Sequence, residues 1–157
     1  MSRAFVREDD VSAESLPERP VSEHPNYVTV AGLHRIEAEI AELERAGDEA
    51  RQQQDEEALA RIERDLRYWL QRKASARVVE ASPAPDQVRF GVRVKLRDER
   101  GDEHSFRLVG EDEADPTVGL ISWVAPLAQQ LLGREPGDEI TWQGHQLEIV
   151  ELNGAPG

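Results

Sequence analysis

The chain has 157 residues and a formal net charge of −13, with 32% charged and 38% hydrophobic residues. Because free phosphate backbones repel so acidic a chain, we expect no autonomous DNA or RNA binding and look for a protein partner. Cysteine is absent, which excludes disulfides, thiol catalysis and cysteine-ligated zinc.

Residues 1–26 are predicted to form a disordered acidic leader. Three prolines interrupt this stretch, acidic residues dominate it and apolar residues are sparse. The N-terminus lacks the apolar core of a signal peptide, and no stretch approaches the ~20 apolar residues of a membrane span. We therefore expect a cytoplasmic protein that makes no membrane contact.

Residues 27–81 carry two apolar stripes with helical spacing, and Thr29 offers an N-cap to the first helix. The first stripe steps by 3, 4 and 3 residues and consists of Leu33, Ile36, Ile40 and Leu43. The second has the same spacing and consists of Leu59, Ile62, Leu66, Trp69 and Leu70. Each helix alone has only this narrow apolar stripe, called the seam below, to bury. The short connection forces the two helices into an antiparallel arrangement. The pattern predicts an α-helical hairpin, a short coiled coil.

The tip of the hairpin is predicted near residues 49–54, which hold no seam residue, and Gly47 offers an earlier end to the first helix. Four acidic residues near the tip are candidate metal-binding residues: Asp48, Glu49, Asp55 and Glu56. A solvated helical tip rich in carboxylates is the commoner interpretation. Along the second arm, we expect arginines to pair with glutamates of the first arm or to meet an acidic partner: Arg61, Arg64, Arg67 and Arg72.

A change of pattern follows Pro83 and Pro85, where any helix must stop. Residues 86–152 are predicted to form the second domain, followed by a tail at 153–157. Alternating apolar residues predict a strand at 88–96, a second at 104–108, a short strand at 120–124 and a final hairpin. Pro126 begins a short helix that ends at Gly133. The fold class is therefore α+β, a helical hairpin followed by an antiparallel sheet with one short helix.

The blocks VRFG, FRLVGEDE and APLAQQLLG followed by GD resemble the C-terminal domain of the GreA/GreB transcription elongation factors. The upstream runs TVAGLHRIEAEIAEL and LARIERDLRYWLQRKASARVVE are similar to the two arms of that family's coiled coil. Together the blocks cover roughly residues 27–152, in the family's order. The resemblance implies an FKBP-like fold for the C-terminal domain.

The resemblance also implies a function. Members of the family insert the hairpin into the secondary channel of bacterial RNA polymerase, with the globular domain at the channel mouth. Acidic tip residues help to hold a catalytic Mg²⁺ of the polymerase, which then hydrolyses backtracked RNA. The family would thus need no cofactor of its own and would share the polymerase's Mg²⁺.

This chain departs from the family pattern in the hairpin. Aligning both ends leaves roughly eighteen residues fewer, about nine per arm, which shortens the reach by about 13 Å at 1.5 Å per residue. Metal ligation needs contacts of about 2.1 Å, and side chains are too short to bridge a difference of this size. The family's acidic tip motif is also missing: the four acidic residues lie near the tip, but none of them matches the motif.

A second departure lies in the polymerase-docking loop, where the family has a polar residue and a serine before a proline. The corresponding candidate docking residues here are Trp123, Val124, Ala125 and Pro126, of which only the proline matches. Two hydrogen-bonding side chains are replaced by apolar ones, which argues either against the family's usual docking contact or for a more apolar one.

The expected function is therefore that of a transcription elongation factor-like protein that binds RNA polymerase near its secondary channel and modulates elongation or transcript cleavage. Because the arms are short, a regulator or inhibitor without cleavage stimulation is favoured over a cleavage factor. An adaptor for an unrelated protein is the remaining alternative. No nucleophile motif, phosphate-binding glycine loop or metal-ligand spacing of histidines is visible, so the chain is not expected to be an enzyme or to bind its own metal.

Overall fold

A computed structural model describes residues 16–155, which divide into two compact units. Of these residues, the first unit comprises 16–23 and 34–75, and the second comprises 24–33 and 76–155. Residues 1–15 of the predicted leader and the last two residues of the predicted tail lie outside the described residues.

The elements follow one another in the order helical hairpin, then sheet with a short helix. The helices are α1 (Val30–Gln52), α2 (Glu56–Ser75) and α3 (Pro126–Leu131), with a 3₁₀-helix at Pro116–Val118. The strands are β1 (Tyr27–Val28), β2 (Arg77–Val78), β3 (Arg93–Arg97), β4 (Glu103–Val109), β5 (Leu120–Ser122), β6 (Glu139–Trp142) and β7 (His145–Asn153). The predicted α+β fold class is confirmed.

The two long helices are antiparallel, joined by residues 53–55. Lys73 Nζ of α2 lies 3.6 Å from Glu37 Oε2 near the start of α1. Gly47, near the end of α1, faces Ile62 near the start of α2. At 1.5 Å per residue, the 23 residues of α1 are about 35 Å long.

The buried seam of α1 extends beyond the predicted stripe. Ile36 and Ile40 are buried as expected, and the same 3–4 spacing continues through Gly47 and Ala50, which are also buried. The suggestion that Gly47 ends the helix is therefore wrong. A glycine inside a seam is tolerated because its neighbours on α1 hold the helical backbone, and its small size suits the side that faces α2.

On α2, two residues differ from the prediction. Leu70 is 47% exposed, whereas Arg72 is only 2% exposed. The inward face continues from Leu66 to Trp69 and then to Arg72 by steps of three, which turns Leu70 away from the seam. Of the arginines expected to pair with the first arm, Arg64 instead contacts its neighbour Asp65 at 3.3 Å.

Residues 16–23 have no helix or strand, yet they contact α2. The Glu18 carboxylate accepts hydrogen bonds from the Arg67 guanidinium, the shortest at 2.6 Å, and these lower the pKa of Glu18. The Arg19 guanidinium stacks 4.0 Å from the centre of the Tyr68 ring, a cation–π contact. Residues 16–23 of the predicted leader are therefore held against α2 by charged and aromatic side chains.

The main sheet has five strands in the order β5-β4-β3-β7-β6. All neighbouring pairs are antiparallel except β4 and β5, which run parallel, so the sheet is mixed and the expectation of a purely antiparallel sheet is wrong at this edge. The ten-residue connection at 110–119, which contains the 3₁₀-helix, is long enough to return the chain to the start of a parallel strand. The core between sheet and α3 consists mainly of Val88, Val92, Val94, Leu96, Leu108, Ala128, Leu131 and Ile149.

The first strand of this sheet begins later than the alternation suggests. Val88 and Val92 are fully buried, but β3 begins only at Arg93. Gly91 adopts a φ of +86°, and the N–H of Val92 donates to the carbonyl of Arg89 in a turn. A left-handed residue is incompatible with extended backbone, so the alternation at 88–92 reflects burial and not a strand.

A separate two-stranded parallel sheet joins β1 to β2. The second arm of the predicted hairpin was expected to run to residue 81, but α2 ends at Ser75 and Arg77 pairs with Tyr27. The backbone of β1 also lies directly over Gly110, where an added Cβ would come within 2.4 Å of the Tyr27 carbonyl oxygen.

Among the described residues, no helix has both the length and the apolar character that crossing a membrane requires.

Candidate functional site

The tip of the hairpin lies at residues 53–55, slightly beyond the predicted position. Gln54 adopts a left-handed φ of 55° that reverses the chain, and the Asp55 N–H donates to the carbonyl of Ala50 at 2.9 Å. The Asp55 carboxylate accepts from the N–H of Ala58 at 3.1 Å, which makes it the N-cap of α2. Glu56 then lies in the first turn, where the helix dipole favours an acidic residue.

The predicted tip acids are exposed, and three of the four have local partners. Asp48 forms an ion pair with Arg51 at 3.0 Å, one turn along α1. The Glu49 carboxylate accepts from the Gln53 side-chain amide at 3.4 Å, and Asp55 caps α2. Within residues 16–155, no group of three acidic or histidine side chains is close enough together to hold a metal ion. Asp55 thus stabilises the turn as the cap of α2, and Asp48 and Glu49 make local contacts near the end of α1.

The predicted docking residues Trp123–Pro126 form the tight connection between β5 and α3. The Val124 N–H donates to the Ser122 hydroxyl at 3.2 Å, and the Ala125 N–H donates to the Ser122 carbonyl at 2.9 Å. Pro126 occupies the first turn of α3, where its missing N–H needs no partner. Val124 and Ala125 are half-buried and Pro126 is exposed, so the loop offers a small apolar surface.

An aromatic group behind this loop is not apparent from sequence spacing. The ring of Tyr27 lies 5.2 Å from Trp123 and 6.0 Å from Phe90, and His24 meets Trp123 edge-on at 5.9 Å. Such ring pairs contribute on the order of 1 kcal/mol each beyond their burial. Trp123 is therefore held by residues that precede α1 in the chain, which orients the docking loop.

A second feature that the sequence does not indicate is the partner of the cap on α1. Thr29 acts as the predicted N-cap, because its hydroxyl oxygen accepts from the Gly32 N–H at 2.9 Å. That hydroxyl donates in turn to the Glu113 carboxylate at 2.5 Å. Glu113 is buried and lies in the acidic GEDEADPT loop, where it places a negative charge at the positive end of α1. The acidic loop could have suggested a cap, but nothing local indicates which helix receives it.

Comparisons with known proteins agree on one family. A profile described as "Transcription elongation factor, GreA/GreB, C-term" matches residues 82–153. The chain is similar to transcription elongation factor GreA of Desulfovibrio desulfuricans, with 36% identity over 122 residues that cover 76% of this chain and 72% of that protein. It is also similar to transcription elongation factor GreB of Neisseria meningitidis serogroup B, with 33% identity and coverage of 83% and 95%.

The chain belongs to the GreA/GreB family. Among solved structures it is similar to a prokaryotic transcription elongation factor GreA/GreB from Nitrosomonas europaea, with 25% identity, a TM-score of 0.42 and coverage of 82% of this chain and 98% of that one. As a GreA/GreB family member, the chain is a transcription elongation factor and not itself an enzyme. The resemblance inferred from the sequence blocks is thereby confirmed.

Proposed function

We propose that this GreA/GreB family chain binds bacterial RNA polymerase near the secondary channel in the cytoplasm and modulates elongation without stimulating transcript cleavage. The observation that carries the proposal is the tip of the hairpin, where three of the four acidic residues make local contacts and the four do not converge on one point. Family membership supports the choice of partner, and the net charge of −13 makes free nucleic acid an unfavourable one.

The docking surface proposed for the polymerase is the loop Trp123–Pro126. Its exposed and half-buried side chains are apolar, and the ring of Tyr27 packs against Trp123 at a tilt of 58° and holds it in place. A rigid apolar loop loses little conformational entropy on binding, which favours affinity from a small contact. A partner surface that fits it would be apolar where it meets Val124.

The hairpin supports the regulatory part of the proposal through its length and its tip. The arms have 23 and 20 residues, and the carboxylates of Asp48 and Asp55 are used by Arg51 and by the N-terminus of α2. A cleavage factor must instead present free carboxylates to a metal at ~2.1 Å. A hairpin of this kind fits occupation of the channel better than metal ligation.

Polymerase binding is tested with a charged substitution in the docking loop. Val124→Glu is expected to weaken co-purification with core RNA polymerase by at least about tenfold, because a carboxylate would lose its water in an apolar contact. Val118→Glu is the matched control: Val118 is 64% exposed in the same unit but outside the loop, so binding should be unchanged. Failure of the unsubstituted chain to retain polymerase would overturn the proposal, as would equal binding by both variants.

The absence of cleavage stimulation is tested on stalled elongation complexes. We expect the unsubstituted chain to leave the rate of RNA cleavage unchanged while it alters the rate of elongation. A variant with Asp48→Asn, Glu49→Gln and Glu56→Gln, which keeps the Asp55 cap, should behave in the same way. If the chain stimulates cleavage and this variant loses the activity while Glu44→Gln retains it, the chain is a cleavage factor and the regulatory proposal is wrong.

A further inference from the structure

A cavity of about 750 Å³ in the second unit contains two arginines that the proposed function does not use. Arg93 and Arg107 are directly opposite each other on β3 and β4, and both line the cavity. Like charges at facing positions of two strands repel, so this pair destabilises the sheet unless something compensates it. Both side chains are half-buried, which reduces the screening of this repulsion by water.

The protein satisfies Arg107 only in part. Its guanidinium donates to the carbonyl of Gly91 at 2.8 Å and to the carbonyl of Ala155 at 2.6 Å, both of them neutral groups. Burial lowers the pKa of Arg107, and the charge of Arg93 lowers it further. The opposing effect comes from Glu113, whose carboxylate is already the acceptor for the Thr29 hydroxyl.

Arg93 is the less compensated of the two. Among residues 16–155, the structure shows no ion pair or hydrogen bond from its side chain, although the side chain is half-buried. The acidic residues that line the cavity are Glu113 and Glu80; Glu113 bonds to Thr29, and Glu80 is exposed to solvent. An oxyanion placed between the two guanidinium groups would neutralise a repulsion that the protein leaves in place.

The remaining walls of the cavity are mainly apolar. They include Val30 and Ala31 at the start of α1, Val79, Ala81 and Leu120. A volume of about 750 Å³ is in the range of cavities that hold small organic ligands. The lining therefore combines a cationic side for an acidic group with an apolar side for a hydrocarbon or aromatic body.

We propose that this cavity binds a small organic oxyanion, with its phosphate or carboxylate group held by Arg93 and Arg107 and its apolar body against Val79 and Leu120. Such a ligand would contact the N-terminal turn of α1, the strand–turn segment before β3 and the end of β7 together. Its binding would stabilise the second unit by an amount that rises with the logarithm of the ligand concentration once this exceeds the dissociation constant.

The test uses the full chain and three probes at constant ionic strength: inorganic phosphate, phenyl phosphate and benzoate, with benzyl alcohol as the uncharged comparison. Binding is followed by amide chemical shifts and by the midpoint of thermal unfolding. We expect saturable binding of phenyl phosphate or benzoate and none of benzyl alcohol. Which of the two binds identifies the acidic group, and stronger binding than inorganic phosphate confirms the contribution of the apolar wall.

Arg93→Gln should weaken this binding by at least about tenfold, because a charged hydrogen bond is lost. Arg97→Gln is the matched control: Arg97 lies on the same strand, pairs with Glu103 at 3.2 Å and does not line the cavity, so binding should be unchanged. Arg93→Lys keeps the charge and should retain part of the affinity. Absence of saturable binding by all three anions, or an equal loss of binding in Arg93→Gln and Arg97→Gln, would overturn the proposal.

Discussion

Ile149→Ala is expected to destabilise the second unit by about 2–5 kcal/mol, because it removes buried methyl groups and leaves a cavity that the sheet cannot close. Ile149 is fully buried on β7, whose neighbours are β3 and β6. It faces Leu96 in register, immediately beside an irregularity in the pairing at which Val150 of β7 is the extra residue, and both side chains belong to the core under α3.

Urea unfolding followed by tryptophan fluorescence measures this effect. In a Trp69→Phe background the remaining tryptophans, Trp123 and Trp142, both lie in the second unit, so the signal reports that unit alone. Val118→Ala is the control, since a side chain that is 64% exposed contributes little to the core. A loss as small as that of the control would mean that Ile149 is not part of a close-packed core.

Gly110→Ala is expected to cost about 1–3 kcal/mol, because the new methyl group would overlap a backbone atom. The added Cβ would lie 2.4 Å from the carbonyl oxygen of Tyr27 and 3.6 Å from the Cα of Val28. Backbone cannot rotate away as a flexible side chain can, so β1 must move off the loop that follows β4. This movement would also disturb the contact between Tyr27 and Trp123.

Gly47→Ala is the matched glycine substitution with the opposite expected sign. Its Cβ would lie 3.6 Å from Ile62 Cγ2, an ordinary van der Waals distance, inside a regular helix. Alanine has the higher helix propensity, so stability of the hairpin should rise by about 0.5–1 kcal/mol. Thermal unfolding followed by circular dichroism at 222 nm measures the stability of Gly47→Ala. Tryptophan fluorescence during unfolding measures that of Gly110→Ala. A neutral Gly110→Ala would show that β1 does not pack against Gly110 in solution.

The hairpin was predictable because its signal is periodic and local. Leu33, Ile36 and Ile40 repeat at the helical spacing, and a second stripe after a short polar connection leaves one simple arrangement. The details that differ depend on the partner helix. Whether Leu70 or Arg72 faces inward depends on which side of α2 is covered by other residues beyond Trp69. The suitability of Gly47 for the seam depends on the side chain that opposes it.

For the candidate sites, too, the location could be predicted from the sequence, whereas the contacts of the side chains depend on the tertiary structure. The tip acids and the docking loop are contiguous in the chain, so their location followed from sequence and from the resemblance to the family. Their chemistry did not, since it depends on the folded structure, in which Asp55 caps α2 and Asp48 pairs with Arg51. The facing arginines of the cavity come from strand register, which no spacing within one strand reveals.

The sequence by itself determined that two amphipathic helices form a hairpin and that an α+β unit follows, because helical and strand periodicities are properties of neighbouring residues. The resemblance to the family came from contiguous sequence blocks, which are local in the same sense. Tertiary structure alone decided the parallel pairing of β5 with β4 and the facing positions of Arg93 and Arg107. It also decided the hydrogen bond from the Thr29 hydroxyl to the Glu113 carboxylate, 84 residues away. Each of these features depends on contacts between segments that are distant in the sequence. Such contacts are determined by the packing of the whole unit and not by any local pattern.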